Sequence, residues 1–269
     1  MTLRFITIGF SHYCEKARWA LDRAGLSYVE ESHAPMFHVP AALAASGKRA
    51  VPILVDPQTR QVFADSTDIL VEVDRRAPDA GIYPRDPALR REAEQLEDLF
   101  DRDLGPATRR IGYFHLLHGG AAYGREMLVS AAAEWERWPV HAGYPLVSRA
   151  IGRALKVDEA GLARSTKKLE EVFATVEERL AAAEREGRSW LVGDAFSAAD
   201  LTFAALAVPV LPTSDSGFNW PPRTLLPPAA CRLAERLGAT RAGAHALKTL
   251  SSERRRTLDP TARGPRTPA

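Results

Sequence analysis

Residues 3–25 read "LRFITIGFSHYCEKARWALDRAG". Leu3 to Ile8 is short, β-branched and aromatic, the composition of a strand. From Ser11 to Ala24 the residues Cys14, Ala17, Leu21 and Ala24 recur at helical spacing, and Gly25 supplies the stop. A strand therefore runs into a helix, and Ser11, His12, Tyr13 and Cys14 sit at the junction. The first N–H groups of a helix lack intrahelical partners and the dipole there is positive, so an anion at that point is stabilised. Ser11 stands at the N-cap, either as a cap alone or as a hydroxyl donor to such an anion. Cys14 has the spacing of the second cysteine in C-x-x-C, but Ser11 replaces the first, which removes a dithiol cycle. Cys14 also falls on the apolar stripe, the place of a buried small hydrophobe. His12 and Tyr13 fall to the rim, where either can touch a substrate.

Working outward, Ser27 to Ser32 reads as a second strand, followed by an irregular stretch. Val51 to Asp56 is a third strand, with Pro52 at its start because proline cannot donate to a ladder. A cis Val51–Pro52 bond would turn the chain sharply there and aim the backbone of Val51 into a cleft. Gln61 to Ala64 pairs back as a hairpin, and Asp65-Ser66-Thr67-Asp68 opens a helix with Ile69, Leu70 and Val73 on its apolar face. Asp65 and Ser66 either only cap that helix or hold the amino-acid end of a ligand, Asp65 taking an ammonium and Ser66 a carboxylate.

Ala77 to Pro87 carries three prolines and a glycine and reads as a linker. Beyond it the patterns are helical, with no convincing strand. Leu89 to Leu104 is amphipathic, Gly105-Pro106 is expected to kink or break it, and Arg109 to Leu117 continues the rod. Leu169, Val172, Phe173, Val176 and Leu180 form a helical stripe. In Phe196 to Leu211, Ser197 and Asp200 make a capping box. His115 and His118 have H-x-x-H spacing without a third ligand nearby, so no metal site is expected. The last segment, "SSERRRTLDPTARGPRTPA", has five arginines against Glu253 and Asp259 and reads as a mobile solvated tail. The fold class is α/β plus all-α, in domains 1–79 and 88–250, with a basic tail over 251–269.

The 269 residues are 45% hydrophobic and 26% charged, with a net charge of +2. That balance fits a globular core and gives no global electrostatic case for nucleic acid. No apolar run approaches the roughly 18 residues of a membrane span. The N-terminus is too short and too weakly basic for a signal peptide. Cys14 and Cys231, far apart in sequence, read as reduced thiols of a cytoplasmic protein.

Four fragments in this order resemble the cytosolic glutathione S-transferase family. "FSHYCEKARWAL" is similar to its active-site loop and first helix, "AVPIL" to its cis-proline segment, "ADS" to its acidic-Ser motif, and "WLVGDAFSAADLTFAAL" to the capping-box helix of its C-terminal domain. The resemblance covers about the first 210 residues and fits the serine- or cysteine-using branches. It implies a thioredoxin-like N-terminal domain followed by an all-helical C-terminal domain. It also implies glutathione as co-substrate in a cleft between them, a homodimer, and a detoxifying transfer of the glutathione thiolate to a small apolar electrophile. Carried over by motif, Ser11 would hydrogen-bond the sulfur, and Val51, beside Pro52, would pair its backbone with the cysteinyl part. Asp65 and Ser66 would hold the γ-glutamyl end, and Lys48 or Arg49 the glycyl carboxylate. Phe10, His12, Tyr13, Tyr113, Phe114 and His115 are candidates for the co-substrate pocket. Two further readings stay open: a glutathione-dependent thiol transferase, reductase or isomerase using Cys14, and a non-catalytic binding module of the same architecture.

Overall fold

The computed structural model describes residues 2–258 and 267–268. Strands β1 (Leu3–Thr7), β2 (Tyr28–Ser32), β3 (Ile53–Val55) and β4 (Val62–Phe63) form a mixed sheet. β2 lies parallel to β1, whereas β3 runs antiparallel to both β1 and β4. Side chains alternate across the strands. Phe5 and Leu54 face one core with helices α1 (His12–Arg23) and α3 (Ser66–Arg76), while Ile6 and Ile53 face a smaller one with Ala42.

Ala42 belongs to helix α2 (His38–Ser46), which corrects the irregular stretch expected between the second and third strands. The helix escapes sequence reading because its cap, Phe37, makes no side-chain hydrogen bond, and because apolar residues surround it without a stripe. Pro40 is tolerated because the N–H groups of a first turn have no intrahelical partner.

The second half of the described chain is helical. α4 (Pro87–Leu99) leads through a π-helical segment, Phe100–Leu104, into α5 (Gly105–His118). Further helices are α6 (Ala121–Ser130), α7 (Glu134–Ala142), α8 (Tyr144–Ala154), α9 (Glu159–Arg185), α10 (Ala198–Ala207), α11 (Pro228–Gly238), α12 (Arg241–Thr249) and the short α13 (Arg255–Leu258). The expected break at Gly105-Pro106 does not occur. The π turn absorbs the proline: the Gly105 N–H reaches back to the Phe100 carbonyl, and Pro106 falls in the first turn of α5. In that register the Asp101 carbonyl would await an N–H from position 106, which proline lacks, and Tyr13 Oη donates to it instead at 2.8 Å.

α10 is buried along its whole length and packs against α1, α4 and α12. The Asp200 carboxylate accepts from the Ser197 and Leu191 N–H groups and from His245 Nε2, an N-cap role within the core. The α9 stripe Leu169, Val172, Phe173, Val176 and Leu180 is buried.

Two expectations for the C-terminus are corrected. Residues 251–258 are helical, and Arg254 is fully buried: its guanidinium meets Glu15 and Asp22 of α1, each at 2.6 Å. Arg23 meets Glu253 at 2.7 Å beside it. The charge counted as a solvated excess is in part consumed by buried carboxylates. A two-residue strand, β5 (Thr267–Pro268), also pairs parallel with β2 at Val29 and Glu30. The rest of the expected tail lies outside the described residues.

Lys16 of α1 is fully buried, with its ammonium 2.7 Å from Glu97 and 2.6 Å from Asp101 and a further hydrogen bond to Thr67 Oγ1. Removing one member of a buried ion cluster leaves uncompensated charge, at about 3–5 kcal/mol. Lys16→Met is therefore expected to lose stability of that order in equilibrium denaturation, and a loss below about 1 kcal/mol would contradict the role given to this cluster.

Candidate functional site

Ser11 is the N-cap of α1. Its backbone is extended, its carbonyl accepts from the Glu15 N–H at 2.8 Å, and its Oγ accepts from the Cys14 N–H at 3.4 Å. It lines a cavity of about 330 Å³ between the sheet-bearing half and the helices that follow. Phe10 and Val51 line the same space, and the Val51–Pro52 bond is cis. Asp65 caps α3, accepting from the Thr67 N–H at 2.8 Å, and Ser66 is buried behind it. The first turn of α3 is tied to α1 through Thr67 and Lys16, and Asp65 stands near enough to Tyr13 to help raise its phenol pKa, which burial raises most. Lys48 and Arg49 are exposed and outside the lining. The Arg49 carbonyl accepts from His38 Nε2, and His38 and Ala50 line the cavity instead.

His12 and Tyr13 both line the cavity, Tyr13 partly buried and His12 buried rather than on the rim. His12 is buried at 3% exposure and donates from Nε2 to the Gly105 carbonyl at 2.9 Å. Burial first, then the charge of Arg109, pushes its pKa down to about 3, so the ring is neutral. Gly105 is required here because a Cβ on it would lie 2.1 Å from Tyr13 Oη. Cys14 is also fully buried. Burial pushes its thiol up to about 11 against the nearby Ser11 hydroxyl, the opposite of what a thiolate nucleophile needs. Cys14 and Cys231 are both free thiols.

Of the candidates on α5, Tyr113 lines the cavity and meets Phe10 edge-on at 6.1 Å. Phe114 and His115 do not line it. Successive helical residues turn by about 100°, so the face that meets the cavity is Arg109, Gly112, Tyr113 and Leu116. Phe114 instead stacks on His118, 4.4 Å between centroids. Sequence reading passed over Arg109, although its i, i+4 spacing to Tyr113 was a usable signal. It also missed Tyr123, Met127, Ile151, Phe218 and Trp220, which reach the lining from α6, α8 and the segment after α10 and carry no local signature. Among the described residues no cluster of metal-ligating side chains is found, and no helix is long and apolar enough to cross a membrane.

Residues 5–81 match the family model described as "Glutathione S-transferase, N-terminal domain", and residues 140–219 match "Glutathione S-transferase, C-terminal domain"; together they cover more than half of the chain. No curated protein matches the sequence. Among solved structures, the chain is similar in fold to glutathione transferase GSTFuA3 from Phanerochaete chrysosporium, at 17% identity and a TM-score of 0.57 over 94% of this chain and 97% of that one. The β-etherase LigF from Sphingobium sp. strain SYK-6 is 19% identical, with a TM-score of 0.57 over 93% and 100%. Ure2p5 from Phanerochaete chrysosporium, cocrystallized with 1-(S-glutathionyl)-2,4-dinitrobenzene, is 17% identical, with a TM-score of 0.54 over 93% and 94%.

His12 gives the site an acid limit. Its pKa is about 3 in the folded chain against 6.5 ordinarily, so between those values the unfolded chain binds a proton that the folded chain does not. Stability is lost as pH falls below 6.5, with a slope of up to about 1.4 kcal/mol per unit from this group. Denaturation midpoints across that range are expected to decline less steeply in His12→Gln, and an unchanged slope would contradict the burial of a neutral ring. Thiol labelling of the native protein at mildly alkaline pH is expected to modify Cys231 and spare Cys14 until denaturant is added. Equal labelling rates would contradict the buried thiol.

Proposed function

The chain belongs to the glutathione S-transferase family, and we propose that it is a glutathione transferase that conjugates the glutathione thiolate to a small electrophile. The observation that carries this reading is the position of Ser11: a hydroxyl at the N-cap of α1, lining an apolar cavity that Val51 also lines. Asp65 and Ser66 would hold the γ-glutamyl end at the start of α3, and Val51 the cysteinyl amide. In this reading the protein works as a cytoplasmic homodimer in detoxification.

The chemistry follows from thiol acidity. A free thiol of pKa about 8.5 is mostly protonated near neutrality, and only the thiolate is nucleophilic. Lowering that pKa by about two units takes roughly 2.7 kcal/mol of preferential thiolate stabilisation. A helix N-terminus contributes about 0.3–1 kcal/mol, up to about 2 where partly buried, and a hydrogen bond to a charged group about 1.5–3 kcal/mol, so Ser11 and the α1 dipole together reach the required order. The thiol proton leaves to solvent, and the sulfur lone pair forms a C–S bond to the electrophilic carbon. With an aryl halide the C–halogen bond then breaks and halide departs with the bonding pair. The alternative through Cys14 is weaker, because its thiol is buried and raised.

Ser11→Ala is expected to lower kcat for conjugation of chlorodinitrobenzene by about 10–100-fold, the loss of one charge-assisted hydrogen bond. The pH at which the bound thiol ionises should rise in the same variant, with Ser11→Thr close to wild type. An unchanged rate and an unchanged thiol pKa would contradict the role of Ser11.

A further inference from the structure

Among the described residues, Arg109 is the one that lines the cavity with a fixed charge. The described lining residues include no lysine, aspartate or glutamate, and burial holds the two histidines among them, His12 and His38, below the ordinary range. The guanidinium is half-buried and makes neither an ion pair nor a hydrogen bond among the described residues. Its neighbour Arg110 shows the contrast, donating to the Leu155 carbonyl and to Ser165 Oγ. The charge of Arg109 reaches the site, depressing His12 and opposing the rise that burial imposes on Tyr13 and Tyr113.

A guanidinium has five donors in a planar fork and no acceptor, and it never loses its charge near neutrality. Placing it in an apolar cavity without a protein acceptor costs desolvation that a bound oxyanion would offset. Phe10, Tyr113, Phe218 and Trp220 supply an aromatic enclosure around the same space. Ser11 and Val51 come from the sheet-bearing half and Arg109 from α5, so a small acid can span the cavity between them.

We propose that Arg109 receives a carboxylate or comparable oxyanion on the electrophilic co-substrate, so that the preferred second substrates are amphipathic acids with an aromatic or apolar body. This rests on the transferase reading in one respect: the thiol is taken to occupy the Ser11 end of the cavity.

The test is calorimetric binding of nitrobenzoate and of neutral nitrobenzamide to the full chain, with S-methylglutathione present to fill the thiol end. The carboxylate is expected to bind at least about tenfold more tightly than the amide, as a charge-assisted pair requires. That ratio should collapse towards one in Arg109→Gln, return in Arg109→Lys, and shrink with added salt in the wild-type protein, which needs no variant to fold. Equal affinities in the wild type, or a preference that persists in Arg109→Gln, would overturn the proposal. A preference seen only without S-methylglutathione would also overturn it, because the guanidinium would then serve glutathione itself. Turnover of chloronitrobenzoate against chloronitrobenzamide separates the two readings: carboxylate-selective binding without turnover of either would sink the transferase reading and leave the assignment of Arg109 standing.

Discussion

Helix α1 is buried on nearly every side, and this constraint governs the rest of the molecule. Nine of its twelve residues are buried, among them His12, Glu15, Lys16 and Arg18. A buried polar or charged group is tolerated only when it is hydrogen-bonded or paired, so each of these side chains needs a partner, the neutral His12 ring taking the Gly105 carbonyl. Lys16 takes Glu97 and Asp101 from α4 and the π segment. Glu15 takes Arg18 and Arg254 and accepts from the Gly217 N–H at 2.8 Å. Burial alone would raise Glu15, but the two guanidiniums outweigh it and hold its carboxyl below the ordinary range. Ser11 heads this helix, so its position is fixed by residues from almost the whole chain.

The same pairing shapes the cavity. Pro106 deprives the Asp101 carbonyl of its π-helical donor, Gly105 leaves room for Tyr13, and the start of α5 therefore closes directly onto the start of α1. From that contact α5 turns Arg109, Gly112, Tyr113 and Leu116 towards Ser11. The Glu15 contact at Gly217 holds the neighbouring segment so that Phe218 and Trp220 reach the opposite side, with Trp220 Nε1 donating to Ser216 Oγ. The result is a largely apolar space in which Arg109 has no ion-pair partner among the described residues.

What was legible in the sequence was local. Short β-branched and aromatic runs marked the first strands, Ser11 and Asp65 declared themselves as caps, and Ser197 with Asp200 marked α10, because each signal lies within a few neighbouring residues. What was illegible depended on distant partners or lacked a local signature. α2 has no capping side chain and no apolar stripe. Gly105-Pro106 resembles a break unless Tyr13 is known to wait across from it. Arg254 belongs by composition to a solvated tail and only by tertiary contact to the core, where it meets Glu15 and Asp22. Phe114 and His115 were separable from Tyr113 only once the cavity face of α5 was fixed.

The central claim is that the N-terminus of α1, through Ser11, is where a glutathione sulfur resides. A crystal structure of the full chain with glutathione tests it most directly. The expected result places the sulfur within about 3.5 Å of Ser11 Oγ, with the γ-glutamyl group at Asp65 and Ser66 and the Val51 backbone paired to the cysteinyl amide. A sulfur bonded to or facing Cys14, or glutathione bound away from the α1 N-terminus, would contradict the account.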